Sequence, residues 1–365
     1  MFDKPRCSRR QAILRTLSSA VVLAKNWWTG RTAAADDQPD SPRQATEPAT
    51  LAIEKGLQWL AARQASDGGF GDRRSYARNV GVCALCGTAF LAHQGNRGPY
   101  AAAIRRATDY LLAHAQSSGF IVEDYVRTHA PMYGHGFATM YLGQIFGSDT
   151  RSAVSEVLRK AVGFIVTAQQ ENGAWRYTSS PEDADTSITT CQMMALLSAR
   201  DAGINVPRAV IERAVRFLRR CQNPDGGFRY RLIDLAESLF PRSAAAVVAL
   251  VAAGYAADPA VARGREYLSI PTSVPTPNKA EYYYYGRFYA AQAAWHAGPQ
   301  AWDHWYPAAR DELLAVQSPA GHWCDAGIGD EYATAMALIV LQFPFEVIPL
   351  FSRRRWPRVD GSPLA

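Results

Sequence analysis

The chain has 365 residues, of which 48% are hydrophobic and 20% charged, enough for one large folded unit or two smaller ones. Its formal net charge is +6, but seven of the 39 Lys and Arg residues and only one of the 33 Asp and Glu residues lie in 1–35. The remainder carries 32 of each, and a neutral remainder argues against nucleic acid as a partner.

The N-terminal segment has the form of an export signal. SRRQAIL at 8–14 matches a twin-arginine pattern, and Ala33–Ala35 offers a small-residue cleavage site. A disordered basic tail is the alternative, because two basic residues interrupt the apolar stretch. We expect a signal peptide over 1–35, a flexible lead-in over 36–49, and a periplasmic or otherwise exported mature chain.

A seven-residue pattern recurs along the chain: Gln, three residues, Gly, one residue, then Trp or Phe. We interpret Gln116–Phe120 as a shortened copy. The gap after the copy at Gln222 spans nearly two periods, which predicts that one copy has lost its motif near Ser269. Six repeats are therefore expected. The full copies begin at Gln64, Gln169, Gln222 and Gln317.

Each repeat predicts a helix pair. The first helix has apolar residues at helical spacing, and the second, as in 244–253, is apolar nearly all round and therefore buried. Six such pairs predict an all-α, six-repeat α/α toroid over 50–351, followed by a basic and polar tail over 352–365. No apolar run is long enough to span a membrane in the mature chain. The predicted glycine stops of the second helices are Gly95, Gly147, Gly203, Gly254 and Gly298.

The repeated motif resembles the QW motif of squalene–hopene cyclases and of the prenyltransferase/squalene oxidase repeat. The resemblance covers 50–351 and implies the α/α toroid shared by terpene cyclases and protein prenyltransferase β subunits. Segments 132–139 and 281–286 are typical of an exported bacterial branch of this superfamily. In the family, the Gln and the aromatic residue tie neighbouring repeats together, so we expect Gln169, Trp175 and their counterparts to be structural.

Polar residues recur where the second helices are predicted to begin, each followed four positions later by a small or hydroxylated residue on the same helix face. We expect them to rim a central cavity, with His135, Thr189, Asp330 and Glu331 contacting a ligand. Helix capping is the alternative, for which Asn79 and Asp185 are well suited. The pairs are Asn79 with Cys83, His135 with Thr139, Asp185 with Thr189, and Asp330 with Thr334.

The candidate catalytic acids are Asp183 and Asp185. Family cyclases that protonate an alkene or epoxide use a DxDD motif whose middle Asp is the acid. One alignment places Ala184 at that position. Shifting by one residue keeps Asp185 as the acid but loses the last carboxylate of the motif. Both alignments disfavour cyclisation started by protonation.

The prenyltransferase branch of the family holds a zinc ion with an Asp two residues before a Cys and a distant His. None of the six Cys residues has an Asp at that position, and there is no HExxH. The apolar flanks of Cys83 and Cys86 favour two small buried hydrophobes over a metal or redox site. We expect no metal and no cofactor.

Aromatic residues give the remaining functional indication. Tyr133 and Phe137 are four apart, and a run of four tyrosines, Tyr282–Tyr285, opens a later inner helix. Such faces can line an apolar cavity, although core packing is the alternative. Helical geometry places Tyr282 and Tyr285 on one side and directs Tyr283 elsewhere, and we expect Tyr133, Tyr282 and Tyr285 to contact a ligand.

Three functions are consistent with these features. The first is a terpene cyclase-like protein that binds an apolar isoprenoid-type ligand, with or without transforming it, and that contacts membranes peripherally. The second is a non-catalytic toroidal scaffold for a protein partner. The third is a glycan-active α/α-barrel enzyme using two of the acids above. An enclosed apolar chamber above ~300 Å³ would favour the first.

Overall fold

The computed structural model describes residues 46–73, 75–124, 128–180, 183–233, 235–269 and 282–352. Within these ranges the regular structure is helical, with isolated β-bridges and no strand. The predicted signal peptide, Arg353–Arg355 and nearly all of the predicted lead-in and tail lie outside them. The α-helices are α1 Glu47–Arg63, α2 Val80–Gln94, α3 Ala101–Ala113, α4 Pro131–Ile145, α5 Ser152–Thr167, α6 Thr186–Asp201, α7 Arg208–Arg220, α8 Phe240–Ala252, α9 Pro259–Leu268, α10 Tyr283–Ala297, α11 Pro299–Val316 and α12 Asp330–Leu341.

The even-numbered helices form a closed inner ring. Each contacts the next in order, and α12 contacts α2. The odd-numbered helices pack outside them, as the amphipathic pattern predicts. In α7, for example, Ile211, Val215 and Leu218 are buried while arginines occupy the outer face. The all-α, six-pair α/α toroid predicted from the repeats is confirmed.

Two predicted boundaries differ in detail. Helix α1 begins at Glu47, three residues before the expected start of the toroid, because Pro48 suits a first helical turn and Ala49 is already buried. Gly147 follows α4 but is not left-handed. The other four predicted stops do have positive φ, namely Gly95, Gly203, Gly254 and Gly298.

The Gln of the repeated motif fastens each turn to the next outer helix. Gln169 Nε2 donates to the carbonyl of Gly173 in its own turn (2.8 Å) and to that of Val210 in α7 (2.9 Å), and its Oε1 accepts from Arg213. Trp175 Nε1 donates to the carbonyl of Ile165 at 2.8 Å. The Nε2 atoms of the other copies do the same: Gln64 to Gly68 and Ala103, Gln222 to Gly226 and Ala260, and Gln317 to Gly321 and Ala52.

The interpretation of Gln116–Phe120 as a shortened copy is wrong. Gln116 N donates to Phe120 O, just as Gln170 N donates to Ala174 O, so Gln116 is the second residue of a full-length turn. The copy therefore runs from Ala115 to Ile121, with Ala in the Gln position and Ile in the aromatic position. Because this copy has neither the Gln nor the aromatic residue of the motif, the sequence pattern places Gln116 first in the turn, although it is the second residue.

The ring closes where α11 and α12 meet α1 and α2, and one of the two closing bonds repeats the bond that joins internal repeats. Gln317 Nε2 donates to Ala52 O of α1 (2.9 Å), and Gln342 Nε2 donates to Ala89 O of α2 (3.0 Å). The fifth helix pair, α9 and α10, is present. The predicted motif loss after Ser269 falls in 270–281, outside the described residues.

None of the helices in the described part of the chain combines the length and the apolar composition needed to cross a membrane.

Candidate functional site: a tyrosine-lined central cavity

A cavity of about 1030 Å³ lies within the ring, at the N-terminal ends of the inner helices. All six inner helices or the residues just before them contribute to its wall, so the cavity belongs to the closed ring. Nine of the described lining residues are tyrosines. They are Tyr76, Tyr133, Tyr177, Tyr230, Tyr282, Tyr283, Tyr284, Tyr285 and Tyr332.

Tyr133 and Tyr285 form the centre of the aromatic wall. Their rings meet edge to face with centroids 6.2 Å apart, and Tyr285 also packs against Tyr289 at 4.8 Å. Phe137 continues the wall by packing against Phe288 at 6.4 Å. Burial raises the pKa values of Tyr133 and Tyr285 well above their usual range, so both are neutral phenols at physiological pH.

The whole run from Tyr282 to Tyr285 borders the cavity, which differs from the expectation that Tyr283 points elsewhere. Helical spacing does not apply to the full run, because Tyr282 lies before α10 with a left-handed backbone (φ 60°). Tyr282 is exposed at the mouth, whereas Tyr285 is buried. Tyr133, Tyr282 and Tyr285 are thus all wall residues, and ligand contact by them stays a prediction.

Asp185 is fully buried and is not among the wall residues. One carboxylate oxygen accepts from the backbone N–H of Ile188 (2.9 Å) and caps α6, while the other accepts from Arg176 (2.9 Å). Burial raises the Asp185 pKa to about 6, against the opposing effect of the Ile188 N–H and the Arg176 guanidinium.

Arg176 links Asp185 to the cavity wall. Its guanidinium donates to the Tyr230 hydroxyl (2.7 Å) and lies over the Tyr177 ring, and the Tyr230 hydroxyl donates to that of Tyr177 (2.5 Å). Asp185 therefore acts on the cavity by fixing two wall tyrosines. The other candidate acid, Asp183, forms an ion pair with Arg231 at 3.0 Å and is also absent from the wall.

His135 and Thr189 lie between the two helix layers. Thr189 Oγ1 accepts from Trp175 N (3.2 Å), and His135 Nδ1 accepts from Ile121 N (3.1 Å), each from the last residue of a motif turn. Ser243 and Thr334 do the same in their repeats. His135 therefore corresponds to the second position of the predicted polar pairs and not to the first. Neither His135 nor Thr189 borders the cavity.

Asp330 and Glu331 begin α12 near the mouth. Asp330 Oδ1 accepts from Asp325 N (3.1 Å), and Asp330 Oδ2 lies 3.7 Å from His322 Nε2. Glu331 is buried and accepts from Arg63 Nε (3.1 Å), so it serves an ion pair between α1 and α12.

Several wall residues were not predicted from the sequence, although their position relative to the repeated motif would have identified them. Tyr177, Tyr230 and Asp325 each stand two positions after the last residue of a motif turn, and all three line the cavity. Asp325 is the one carboxylate among the described wall residues, and its Oδ1 accepts from the backbone N–H groups of Gly327 and Ile328. Arg242 is the one arginine in the described wall.

Two family models match the sequence, and together they cover most of the ring. Residues 43–122 match the prenyltransferase alpha-alpha toroid domain, and residues 138–292 match the squalene-hopene cyclase C-terminal domain. Over these residues the chain is similar to the prenyltransferase and squalene–hopene cyclase toroid families. No curated protein gives a significant match to the sequence.

Solved structures of two kinds of enzyme share the fold of this chain. The GH76A alpha-1,6-mannanase from Salegentibacter sp. HEL1_6 superposes with a TM-score of 0.64 and 9% identity, over 82% of this chain and 99% of the mannanase. The type II terpene cyclase MstE from Scytonema, in complex with geranylgeranyl dihydroxybenzoate, has a TM-score of 0.55 and 16% identity, over 83% and 98%. At these identities the similarity establishes the fold alone.

Proposed function

We propose that the protein binds a predominantly apolar, isoprenoid-type ligand in the tyrosine-lined cavity. The observation that carries the proposal is the composition of the wall: a cavity of about 1030 Å³ with nine tyrosines and a single carboxylate among its described residues. A chamber of this size accommodates a molecule larger than most drug-sized ligands. Aromatic faces offer apolar contact area, and their hydroxyls orient a polar head group.

Among the described residues, the wall offers no well-placed acid for cyclisation. Asp185 lies behind the wall and pairs with Arg176. Asp325 Oδ1 accepts hydrogen bonds from two backbone N–H groups. Protonation of an alkene requires a carboxylic acid that contacts the substrate. We therefore propose binding without acid-initiated polycyclisation as the principal function.

An apolar rim supports entry of such a ligand from a membrane surface. Ile233, Leu235, Leu239 and Tyr282 are large apolar side chains with substantial exposure, and the last two also border the cavity. A ligand that is poorly soluble in water would reach the cavity through this rim. Peripheral membrane contact is thus part of the same proposal.

Glycan binding is the second candidate, and the mannanase likeness favours it. Tyrosine faces also stack on sugar rings. Hydrolysis of a glycosidic bond normally requires two carboxyl groups about 5–10 Å apart across the substrate, whereas the described wall contains one. The glycan version of the proposal is therefore binding without hydrolysis.

The test is to purify the exported protein from the periplasm, where the twin-arginine-like segment is proposed to send it. Bound lipid is then extracted and identified by mass spectrometry, and melting is measured with geranylgeraniol or alpha-1,6-mannotriose added. We expect the isoprenoid to co-purify or to raise the melting temperature, and the trisaccharide to have no effect. A shift with mannotriose alone would replace the isoprenoid proposal with the glycan one.

Matched variants locate the binding site. Tyr133→Ala removes a central wall ring and should weaken isoprenoid binding about tenfold, the equivalent of roughly 1.4 kcal/mol. Tyr255→Ala removes a tyrosine that is absent from the described cavity wall, so it should leave the affinity unchanged. Equal affinity in Tyr133→Ala and Tyr255→Ala would mean that the ligand does not use the cavity.

A further inference from the structure

We propose that His322, Cys324 and Asp330 bind a zinc ion at the mouth of the central cavity. One potential ligand atom from each side chain lies within 4.8 Å of the other two, and His322 Nε2 is 3.7 Å from Asp330 Oδ2. Around a tetrahedral zinc ion with bonds of about 2.0–2.3 Å, ligand atoms are roughly 3.5 Å apart. Small side-chain rotations are therefore enough to close the site.

Neighbouring groups already orient two of the three ligands. The Ser318 hydroxyl lies 2.7 Å from His322 Nδ1, and Trp59 stacks on the ring at 4.6 Å. With the ring proton on Nδ1, donated to Ser318, Nε2 is left available to a metal. Asp330 Oδ1 accepts from Asp325 N, which leaves Oδ2 facing the histidine. Hydrogen bonds of this kind from the residues behind a metal ligand hold it in position.

The three side chains match zinc in type and charge. One sulfur, one imidazole nitrogen and one carboxylate oxygen are all accepted zinc ligands. A thiolate and a carboxylate together neutralise the charge of the ion. Burial and the Asp330 carboxylate raise the Cys324 pKa, so the residue is a thiol until a cation displaces its proton.

The position of the cluster connects it to the cavity. Cys324 belongs to the cavity wall and is exposed, whereas the other described cysteines are buried. Three protein ligands leave a fourth position, which a water molecule or an oxygen of a bound ligand would occupy. The expectation of no metal came from a search for Asp two residues before Cys. Here His precedes the Cys by two residues and Asp follows it by six.

An ion pair between His322 and Asp330 is the competing explanation of their proximity, and it needs no cysteine. Cobalt titration of the metal-free full-length protein separates the two explanations. We expect one equivalent of Co²⁺ to produce a thiolate-to-cobalt charge-transfer band, and Zn²⁺ to abolish it by displacement. Peptide mapping after alkylation should show that Zn²⁺ protects Cys324.

Matched variants decide whether these residues form the site. Cys324→Ser should eliminate the band, and Asp330→Asn and His322→Gln should weaken Zn²⁺ binding by at least tenfold. Ser318→Ala removes the hydrogen bonds of its hydroxyl to the His322 ring and to the His322 backbone N–H, but no metal ligand, and should weaken Zn²⁺ binding about tenfold. His304→Gln alters an exposed histidine outside the cluster and should change nothing. Absence of the band, its persistence in Cys324→Ser, or alkylation of Cys324 unaffected by zinc would overturn the proposal.

Discussion

At the scale of single residues, the same sequence feature has two structural outcomes. Asp185 and His135 both stand near the start of an inner helix among polar or aromatic neighbours. Asp185 caps its helix and pairs with Arg176, while His135 points between the layers and accepts a backbone hydrogen bond. The ring of His135 is enclosed by Phe120 and Phe164. Its protonation would therefore place a charge in an apolar layer.

Acid should destabilise the fold through His135. Burial lowers the His135 pKa to about 3, below the unfolded value of about 6.5. The unfolded chain thus binds a proton first as pH falls, and the stability contributed by neutral His135 is lost between about pH 6.5 and pH 3. We expect a loss of roughly 3 kcal/mol from this residue between pH 7 and pH 4.

Urea unfolding of the wild type and of His135→Gln at pH 7, 5 and 4 checks this expectation. Glutamine keeps an acceptor for Ile121 N but does not titrate, so its stability should fall less. Asp185 titrates in both proteins, and its contribution cancels in the difference. Parallel pH profiles for the two proteins would show that His135 does not carry the effect.

At the scale of elements, the motif turn is the unit that joins one helix pair to the next. The amide of Gln169 satisfies one carbonyl in its own turn and one in α7. Close approach requires the glycine of the turn: Gly173 has φ 90°, and a Cβ there would lie 2.6 Å from the carbonyl oxygen of Arg213. The backbone of the turn therefore contacts the backbone of the outer helix, and any residue with a Cβ in place of Gly173 would prevent this contact.

Gln169→Ala should destabilise the protein by about 2 kcal/mol, because it leaves two carbonyls without this donor and Arg213 without this acceptor. Gln116→Ala is the matched control, since Gln116 is exposed and occupies the second position of its turn. That change should stay within about 0.5 kcal/mol. If urea unfolding showed the same loss of unfolding free energy in Gln116→Ala as in Gln169→Ala, Gln116 would be a motif residue.

At the scale of the whole molecule, the ring makes the first and last helices of the described chain neighbours. Gln317 binds α1 as Gln169 binds α7, so the closing junction is an ordinary repeat junction. The cavity depends on this closure, because α2 and α12 both contribute wall residues. A toroid thus couples residues 265 positions apart in the sequence.

Loss of the closing bond should loosen both ends together. In Gln317→Ala we expect faster amide hydrogen exchange in α1 and in the turn after α11, with α5–α7 unchanged, because local opening follows the weakened junction. Gln169→Ala should give the reverse pattern. Mass spectrometry of exchanged peptides measures both. Unchanged protection of α1 in Gln317→Ala would show that closure does not depend on this glutamine.

The architecture of this protein can be predicted from its sequence pattern alone. A repeated motif and alternating amphipathic and apolar helices predicted the six-pair ring, because burial and helix period leave their pattern in every repeat. The sequence also supplied Tyr133, Tyr282 and Tyr285 as candidate wall residues. It misplaced the turn at Ala115, where both motif residues have changed.

Which polar side chains reach the cavity depends on the packing of the helices and not on the sequence pattern. Asp185, His135 and Thr189 lie on predicted inner-helix starts, yet each is drawn into bonds with a backbone N–H or a neighbouring Arg from another segment. Those partners are 9 to 14 residues away along the chain. Helical periodicity gives the face of a residue within its own helix. Whether that face points to the cavity or to the outer helices depends on how the two layers pack, and the layers exist only once the ring has closed.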